Sequence, residues 1–314
     1  MTGLRILKRK EVDEQKWNAL IHASLNSLPY ALTYYLDAVA ENWGAVVLND
    51  YETVLPLVWL RKFGVKCLYQ PYYCQQLGFF SSEEVDACVM KEMLLQANAF
   101  PYISINLNPS AKIIAGEFKL SKKKNLLLDL SGGYSILRKK YSENHRRNIT
   151  KAEKAGLVFS KEVELKQFQK FYLENVNLQK ENFKPQHEKI FKTLTQEVVA
   201  NGTGKIFSVG TTDENLLAAT LILSHQNRFI NIINTSSAEG KKTGSSHFLF
   251  DKAISVIASA EIGDCFAKPR NDKSHVFDFE GSSIPTIARF YEGFGAYEET
   301  FYNYQTTILK KFLP

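Results

Sequence analysis

One order of elements constrains this chain more than any other feature: helix, helix, hairpin, strand, helix, strand, read twice over. In the first half, helical patterns around Val12–Asn26 and Thr33–Asn42 lead into the apolar run Gly44–Leu48. A turn at Asn49-Asp50 returns the chain through Thr53–Leu60, and Val65–Pro71 reads as a third strand. Apolar spacing through Val85, Val89, Met93 and Ala97 predicts a helix, and the strand Tyr102–Leu107 follows. The second half offers helices around Leu165–Leu178 and Gln186–Ala200, then the strand Lys205–Gly210 and a turn at Asp213-Glu214-Asn215. Strands Leu217–Leu223 and Arg228–Asn234, the helix Ser246–Ala260 and a short strand, Ile262–Ala267, complete it. The repeat lies in pattern rather than in residue identity, so a duplication and two unrelated α+β domains both remain open at this point.

Length supports two domains in either case. The 314 residues exceed one typical core, since domains run to about 100–200 residues. With 45% hydrophobic and 23% charged residues the chain has an ordinary globular composition, which excludes a disordered or low-complexity protein. No apolar run approaches the ~20 residues of a membrane helix, so no membrane insertion is expected. The first fifteen residues show no apolar signal core, and a cytoplasmic protein is expected. Cys67, Cys74, Cys88 and Cys265 form no C-x-x-C pair and read as reduced thiols.

The net charge of +6 is concentrated in one place. Between Arg138 and Gly156 seven Lys and Arg stand against Glu143 and Glu153, and Lys119 and Lys122 to Lys124 lie just upstream. A helix from about Tyr134 to Ala155, closed by Gly156, is expected to join the domains, which gives a division into 1–133, 134–156 and 157–314. On a helical projection Tyr141, His145, Asn148, Ile149 and Ala152 share one face, and Lys140, Arg147, Lys151 and Lys154 share the opposite one. Such a stripe is either a solvated linker face or a positive wall for a polyanion.

Missing motifs narrow the chemistry. There is no H-E-x-x-H, no G-x-S-x-G and no dinucleotide fingerprint, so hydrolase and dehydrogenase readings find no support and no metal is expected. The segment from Ala238 to Phe248, AEGKKTGSSHF, sets Gly244, Ser245 and Ser246 ahead of a long helix. Small residues between a strand and a helix N-terminus let backbone N–H groups approach an anion, although Ser246 is equally an ordinary N-cap. Lys241-x-x-Gly244-x-Ser246 is similar to the R/Q-x-x-G-x-G/A turn with which acyl-CoA N-acetyltransferases hold a pyrophosphate. Further on, Asp278 and Glu280 are two apart, and on an extended strand both would face one cleft. One of them could deprotonate an attacking amine; each could equally cap the helix near Pro285 or pair with Arg270 or Arg289.

Taken together these pieces resemble the Fem-type transferases, tandem-domain relatives of the acyl-CoA N-acyltransferase (GNAT) fold. Tyr141 to Leu157, YSENHRRNITKAEKAGL, is similar to that family's R-x-N-I-x-K-A-x-K-x-G helix between domains. Asp278-Phe-Glu-Gly-Ser282 followed by Phe290-x-x-Gly-Phe-Gly295 resembles its D-F-x-G and F-K-x-G-F/Y signatures. Tyr69 to Gly78 (YQPYYCQQLG), Tyr34 to Asp37 and Asn234 to Gly240 resemble bacterial members without an assigned activity. Where the tRNA-dependent ligases carry a lysine implicated in stabilising the transferring acyl group, this chain has Tyr291 followed by Glu292.

The resemblance implies two tandem GNAT-like α+β domains, each a mostly antiparallel sheet flanked by helices. It implies an acyl- or aminoacyltransferase that forms an amide on an amine, with a peptidoglycan precursor or other cell-envelope substrate as the family's commonest acceptor. Acyl-CoA or aminoacyl-tRNA would be the co-substrate, with no tightly bound cofactor. Donor phosphates would lie at Lys241, Gly244, Ser245 and Ser246. The acceptor would be lined by Tyr35, Gln75, Gln76, Arg146, Arg147, Lys151 and Asn234, with Asp278 as general base or amine-orienting group and Tyr291 as proton donor. Gln75 and Gln76 could also be surface turn residues. A polyanion- or RNA-binding protein without chemistry, or a scaffold that has lost catalysis, is the alternative.

Overall fold

The computed structural model describes residues 3–176, 183–213, 215–259 and 275–307. They fall into two units, one running to Lys124 and resuming at Thr300, the other from Asn125 to Glu299. The expected strand Ile262–Ala267, Arg270 and Cys265 lie outside the described residues.

In the first unit β1 (Leu4–Lys8), α1 (Glu14–Ala23) and α2 (Thr33–Val39) precede β2 (Asn42–Leu48), β3 (Thr53–Lys62) and β4 (Val65–Tyr69). Then come β5 (Phe80–Ser81), α3 (Ala87–Ala97) and β6 (Tyr102–Leu107). Strands β1 to β4 pair antiparallel in sequence order, and β4 pairs parallel with β6. A parallel neighbour needs a crossover, which α3 supplies. Asp86 caps α3 by accepting from the Cys88 N–H, and Met90, Met93, Leu94 and Ala97 bury its inner face on Leu55, Leu57 and Ile103.

The second unit contains the end of β7 (Leu120–Asp129), α4 (Gly133–Lys140), α5 (Glu143–Lys154), β8 (Val158–Ser160), α6 (Leu165–Val176) and α7 (Pro185–Ala200). Next are β9 (Gly204–Gly210), β10 (Leu216–His225), β11 (Arg228–Ser236), α8 (Ala238–Thr243), α9 (Ser245–Ile257), β12 (Val276–Asp278) and α10 (Pro285–Glu292). Its strand order is β7-β12-β11-β10-β9-β8, with β11 and β12 the parallel pair. The same succession of hairpins, helix and parallel strand thus occurs in both units. The core is aromatic: Phe207, Phe229, Phe250, Phe277, Phe279 and Phe294 are all buried. Each such ring withdrawn from water stabilises by about 1.5–3 kcal/mol.

Two expectations are corrected. The single linker helix is two helices, because Tyr141 takes an extended backbone and Ser142 caps α5 by accepting from the His145 N–H. The last strand, β13 (Tyr297–Thr307), is not wholly a property of the second domain: Tyr302 to Thr307 pair antiparallel with β6 of the first unit. Strands β1, β5, β7, β8 and β13 and helix α8 escape the sequence reading. β7, for example, opens on LSKKKN and shows no clean alternation before its apolar end. No helix among the described residues is long and apolar enough to cross a membrane.

Candidate functional site

The basic segment comes first in the chain. On α5, His145, Ile149 and Ala152 are buried, and Arg147, Lys151 and Lys154 are exposed, as the projection predicts. His145 ties the helix down. Its Nε2 lies 2.8 Å from the Phe290 carbonyl, an acceptor only, so Nε2 carries the proton and Nδ1 accepts from the Ser142 hydroxyl at 2.9 Å. Burial holds its pKa below the ordinary value. Arg146 donates to the Tyr141 carbonyl at 2.7 Å and Arg147 to Asn144 Oδ1 at 2.9 Å. Lys151 Nζ donates to the Lys242 carbonyl at 2.6 Å, a cation at the C-terminal end of α8, which brings the two basic elements side by side.

The expected phosphate turn is differently placed. Ser237, not the 244–246 segment, makes the strand-to-helix turn, where its side chain caps α8 by accepting from the Gly240 N–H. Gly244 stands between two helices, left-handed at φ +78, and a Cβ there would come 2.7 Å from the Asn148 carbonyl. Ser245 is buried and its hydroxyl has no hydrogen-bond partner among the described residues, whereas Lys241 is exposed and Ser246 half-buried.

The acidic segment and α10 assemble a second cluster. Asn125 Nδ2 and the Glu280 N–H both donate to Asp278 Oδ1 at 3.0 Å. Asp278 Oδ2 faces Arg228 Nη1 at 3.5 Å, and Arg228 Nη2 reaches both Glu299 oxygens at 3.0 Å. Burial raises the Asp278 pKa while Arg228 opposes the rise. The two carboxylates do not share a strand face. β12 ends at Asp278, and Glu280 turns into the left-handed region at φ +50, followed by Gly281 at φ +61. Glu280 is 9% exposed, its Oε1 has no hydrogen-bond partner among the described residues, and burial pushes its pKa well up.

Tyr291, on α10, is 3% exposed and stacks on Phe279 at 4.6 Å. Its hydroxyl oxygen accepts from Asn231 Nδ2 at 3.1 Å and from Asn234 Nδ2 at 3.2 Å. Residues three apart on a strand point to opposite faces. Here the β10–β11 register slips: Leu221 pairs with Ile233 but Ile222 with Asn231, so Ile232 is an extra residue. That bulge returns Asn231 and Asn234 to one face. Thr220 donates to Asn231 Oδ1 at 2.7 Å, and Asn231 Nδ2 also donates to the Phe279 carbonyl at 3.1 Å, which fixes the amide. With its oxygen's lone pairs occupied, the phenol keeps its own proton to give. Burial raises its pKa, the two asparagines lower it, and the fields of Glu280 and Asp278 raise it again. Asn234 is exposed, so the row opens to solvent there. Sequence reading missed Asn231 and Thr220; the only signal is two asparagines in the apolar run RFINIINTS.

The first-unit residues are arranged otherwise. Tyr35 is fully buried and its hydroxyl donates to the Tyr73 carbonyl. Asn106 Nδ2 donates to the Gln75 carbonyl at 2.7 Å, and Gln70 Oε1 accepts from the Asn106 N–H at 2.9 Å. Gln76 is buried, not a surface turn residue, and its Oε1 has no hydrogen-bond partner among the described residues. Among the described residues no group of His, Cys, Asp or Glu has the arrangement to hold a metal.

No family model matches the chain, and no curated protein matches it. Solved structures do. FemX is 11% identical and aligns over 96% of this chain and 97% of its own with a TM-score of 0.63. A tandem GNAT protein from the clavulanic acid biosynthesis pathway is 9% identical over 96% and 98%, with a TM-score of 0.55. L-PGS from Bacillus licheniformis is 11% identical over 93% and 91%, with a TM-score of 0.54. At such identities the likeness is one of fold, and the chain has the Fem-like tandem GNAT fold.

Proposed function

We propose that this chain is an acyl- or aminoacyltransferase that forms an amide on an amine acceptor, with acyl-CoA or aminoacyl-tRNA as donor. The observation that carries the reading is the Tyr291 hydroxyl, held by two asparagine amides and still bearing its proton, beside buried acids. The fold shared with FemX and the tandem GNAT protein supports it. In the proposed step the amine nitrogen attacks the acyl carbonyl carbon. The new N–C bond forms, and the C–S bond of a thioester or the C–O bond of an ester breaks. Tyr291 gives its proton to the departing sulfur or oxygen, and the Asn231 and Asn234 donors offset the charge left on the phenol oxygen. The proton lost by the amine passes to a carboxylate. Glu280 Oε1 has neither a hydrogen bond nor an ion pair among the described residues and takes it. Asp278 Oδ2 also has no hydrogen bond but faces Arg228, and Asp278, whose Oδ1 holds the Glu280 backbone, acts as a positioning residue.

Donor phosphates would meet the exposed cations Arg147 and Lys154 of α5 and Lys241 of α8, which Lys151 draws together through Lys242. A peptidoglycan precursor or another cell-envelope amine is the first acceptor class to offer. The test is binding of labelled aminoacyl-tRNA at low and high salt, with acetyl-CoA and long-chain acyl-CoA as competitors, followed by an assay for the amide. One donor is expected to bind and react, and Tyr291→Phe to lose turnover with donor binding intact. Binding of no donor, or equal turnover by Tyr291→Phe, defeats the reading.

A further inference from the structure

At the tip of the β3–β4 hairpin Arg61 Nη1 donates to the Gly64 carbonyl at 3.2 Å, but the tip residues bury none of their side chains in the core. Lys62 pairs with Val65 across a two-residue turn, Phe63-Gly64. Both turn residues have positive φ, +51 at Phe63 and +79 at Gly64. This is the geometry that favours Asn-Gly, and a bulky side chain in the first position is strained. Phe63 gains no packing in return: it is 90% exposed, the most exposed large apolar side chain of the chain's described residues. A strained residue kept against both propensity and burial points to a role outside the folded core.

Its surroundings say which role. From Thr53 to Tyr69 the hairpin contains no Asp or Glu, and Arg61, Lys62 and Lys66 cluster at the tip, all exposed. None of the three takes part in an ion pair among the described residues. Lys62 Nζ lies over the Phe63 ring at 5.8 Å, and Lys66 Nζ lies 5.8 Å from the ring of half-buried Trp59. An apolar apex, a collar of cations behind it and a tryptophan one step further back follow the depth profile of a lipid interface: acyl boundary, phosphates, headgroup level. A nucleic-acid platform would instead offer open aromatic faces to successive bases along a groove. Here one face of the only apical ring is taken by Lys62.

We propose that the Phe63 hairpin tip is an anchor for an anionic membrane surface, with Phe63 entering the headgroup–acyl boundary and Arg61, Lys62 and Lys66 contacting lipid phosphates. The contact is peripheral and shallow, in keeping with the absence of a spanning helix among the described residues. It does not depend on the transferase reading, because it is measured without turnover.

The test uses the full chain and vesicles of phosphatidylcholine alone or mixed equally with phosphatidylglycerol. The chain is expected to sediment with the mixed vesicles, to be released by salt, and to ignore phosphatidylcholine alone. The protein has 3 tryptophans, and Trp17 and Trp43 are buried, so a blue shift of emission on binding reports Trp59. Phe63→Asn is the decisive variant. It is expected to weaken vesicle binding about tenfold or more while raising the melting temperature, since Asn-Gly suits this turn. Lys62→Gln should weaken binding by roughly fivefold. Failure of the native chain to bind mixed vesicles, undiminished binding by Phe63→Asn, or a lowered melting temperature in that variant overturns the proposal. So does binding of RNA in place of vesicles that Phe63→Asn abolishes.

Discussion

Each unit buries a tyrosine that sequence reading assigned to a site, and the two hydroxyls are used in opposite senses. Tyr35 in the first unit donates its proton to the Tyr73 carbonyl, inside a loop that Gln70, Asn106 and Asn108 clamp to β6. Tyr291 in the second accepts twice and keeps its proton, near the Glu280 carboxyl oxygen that has no partner among the described residues. The first arrangement spends its polar groups on holding backbone. The second leaves acid and phenol poised, and unfilled buried valences of ionisable groups are where chemistry concentrates. Burial and residue type alone do not separate the two tyrosines; the direction of their hydrogen bonds does.

The largest expected effect tests that contrast directly. Tyr291→Phe should lower kcat by roughly 10²–10⁴-fold, the range of a lost proton donor. Tyr35→Phe should leave kcat within a few-fold and cost about 1 kcal/mol of stability through the unpaired Tyr73 carbonyl. Equal losses from both would erase the distinction between the units.

The glycines sharpen it next. Gly78 in the clamped loop sits at φ +115, and its Cβ would come 2.7 Å from the Asn108 backbone nitrogen. Gly78→Ala should therefore cost about 2–5 kcal/mol in denaturant unfolding. Gly281, next to Glu280 at φ +61, has only Ile287 Cγ2 at 3.8 Å, so Gly281→Ala should cost about 1 kcal/mol. A reversed order would show that the second unit's turn is the more tightly built.

Asn108→Ala comes third. The residue is fully buried and donates to the Phe79 carbonyl at 2.8 Å, so its loss should destabilise by about 1–3 kcal/mol and leave turnover of the remaining folded protein unchanged.

A pH series isolates His247 of α9, whose ring packs edge-on against His145 of α5 and Phe290 of α10. Burial, and then the neighbouring His145, lower the pKa of His247 from 6.5 to about 4. A folded pKa below the unfolded one favours the neutral ring, so its contribution is complete above pH 6.5 and is lost as the pH falls towards 4. Asp278 and Glu280, raised by burial, work in the other direction, gaining as they protonate. The measurement is therefore differential. The melting temperature of the native chain should fall more than that of His247→Phe between pH 7 and pH 4, and parallel curves would remove the histidine from the acid response.

The smallest effect belongs to Asn234→Ala. Asn231 still holds Tyr291, and the lost donor is exposed, so kcat should fall only several-fold, with no change in melting temperature beyond about 0.5 kcal/mol of equivalent stability. A loss as large as that of Tyr291→Phe would make Asn234 a direct substrate contact.

Much of the fold was legible because periodicity and turn chemistry act locally. The Tyr102–Leu107 strand, the capped helices and the buried and exposed faces of α5 follow from short-range patterns, and the family motifs supply the tandem order. The break at Tyr141–Ser142 carries a local signal, a serine cap, but good helix formers on both sides mask it in the sequence. The site was half legible. Motif and residue type single out Asp278, Tyr291 and Asn234, but a shared face for Asp278 and Glu280 holds only on an extended backbone, and the strand ends at Asp278.

What the sequence by itself determined is the succession of elements, the apolar faces and the position of the charge, because these depend on residues close along the chain. Tertiary structure alone decided that β13 finishes in the first unit's sheet, that a bulge at Ile232 turns two asparagines to one face, and that Glu280 buries a carboxyl oxygen with neither hydrogen bond nor ion pair among the described residues. Those outcomes depend on strand register and on hydrogen-bond partners as far as 206 residues apart, as with Asn98 and Tyr304 of β13. Packing fixes such pairings after the local elements exist, and no local pattern encodes them.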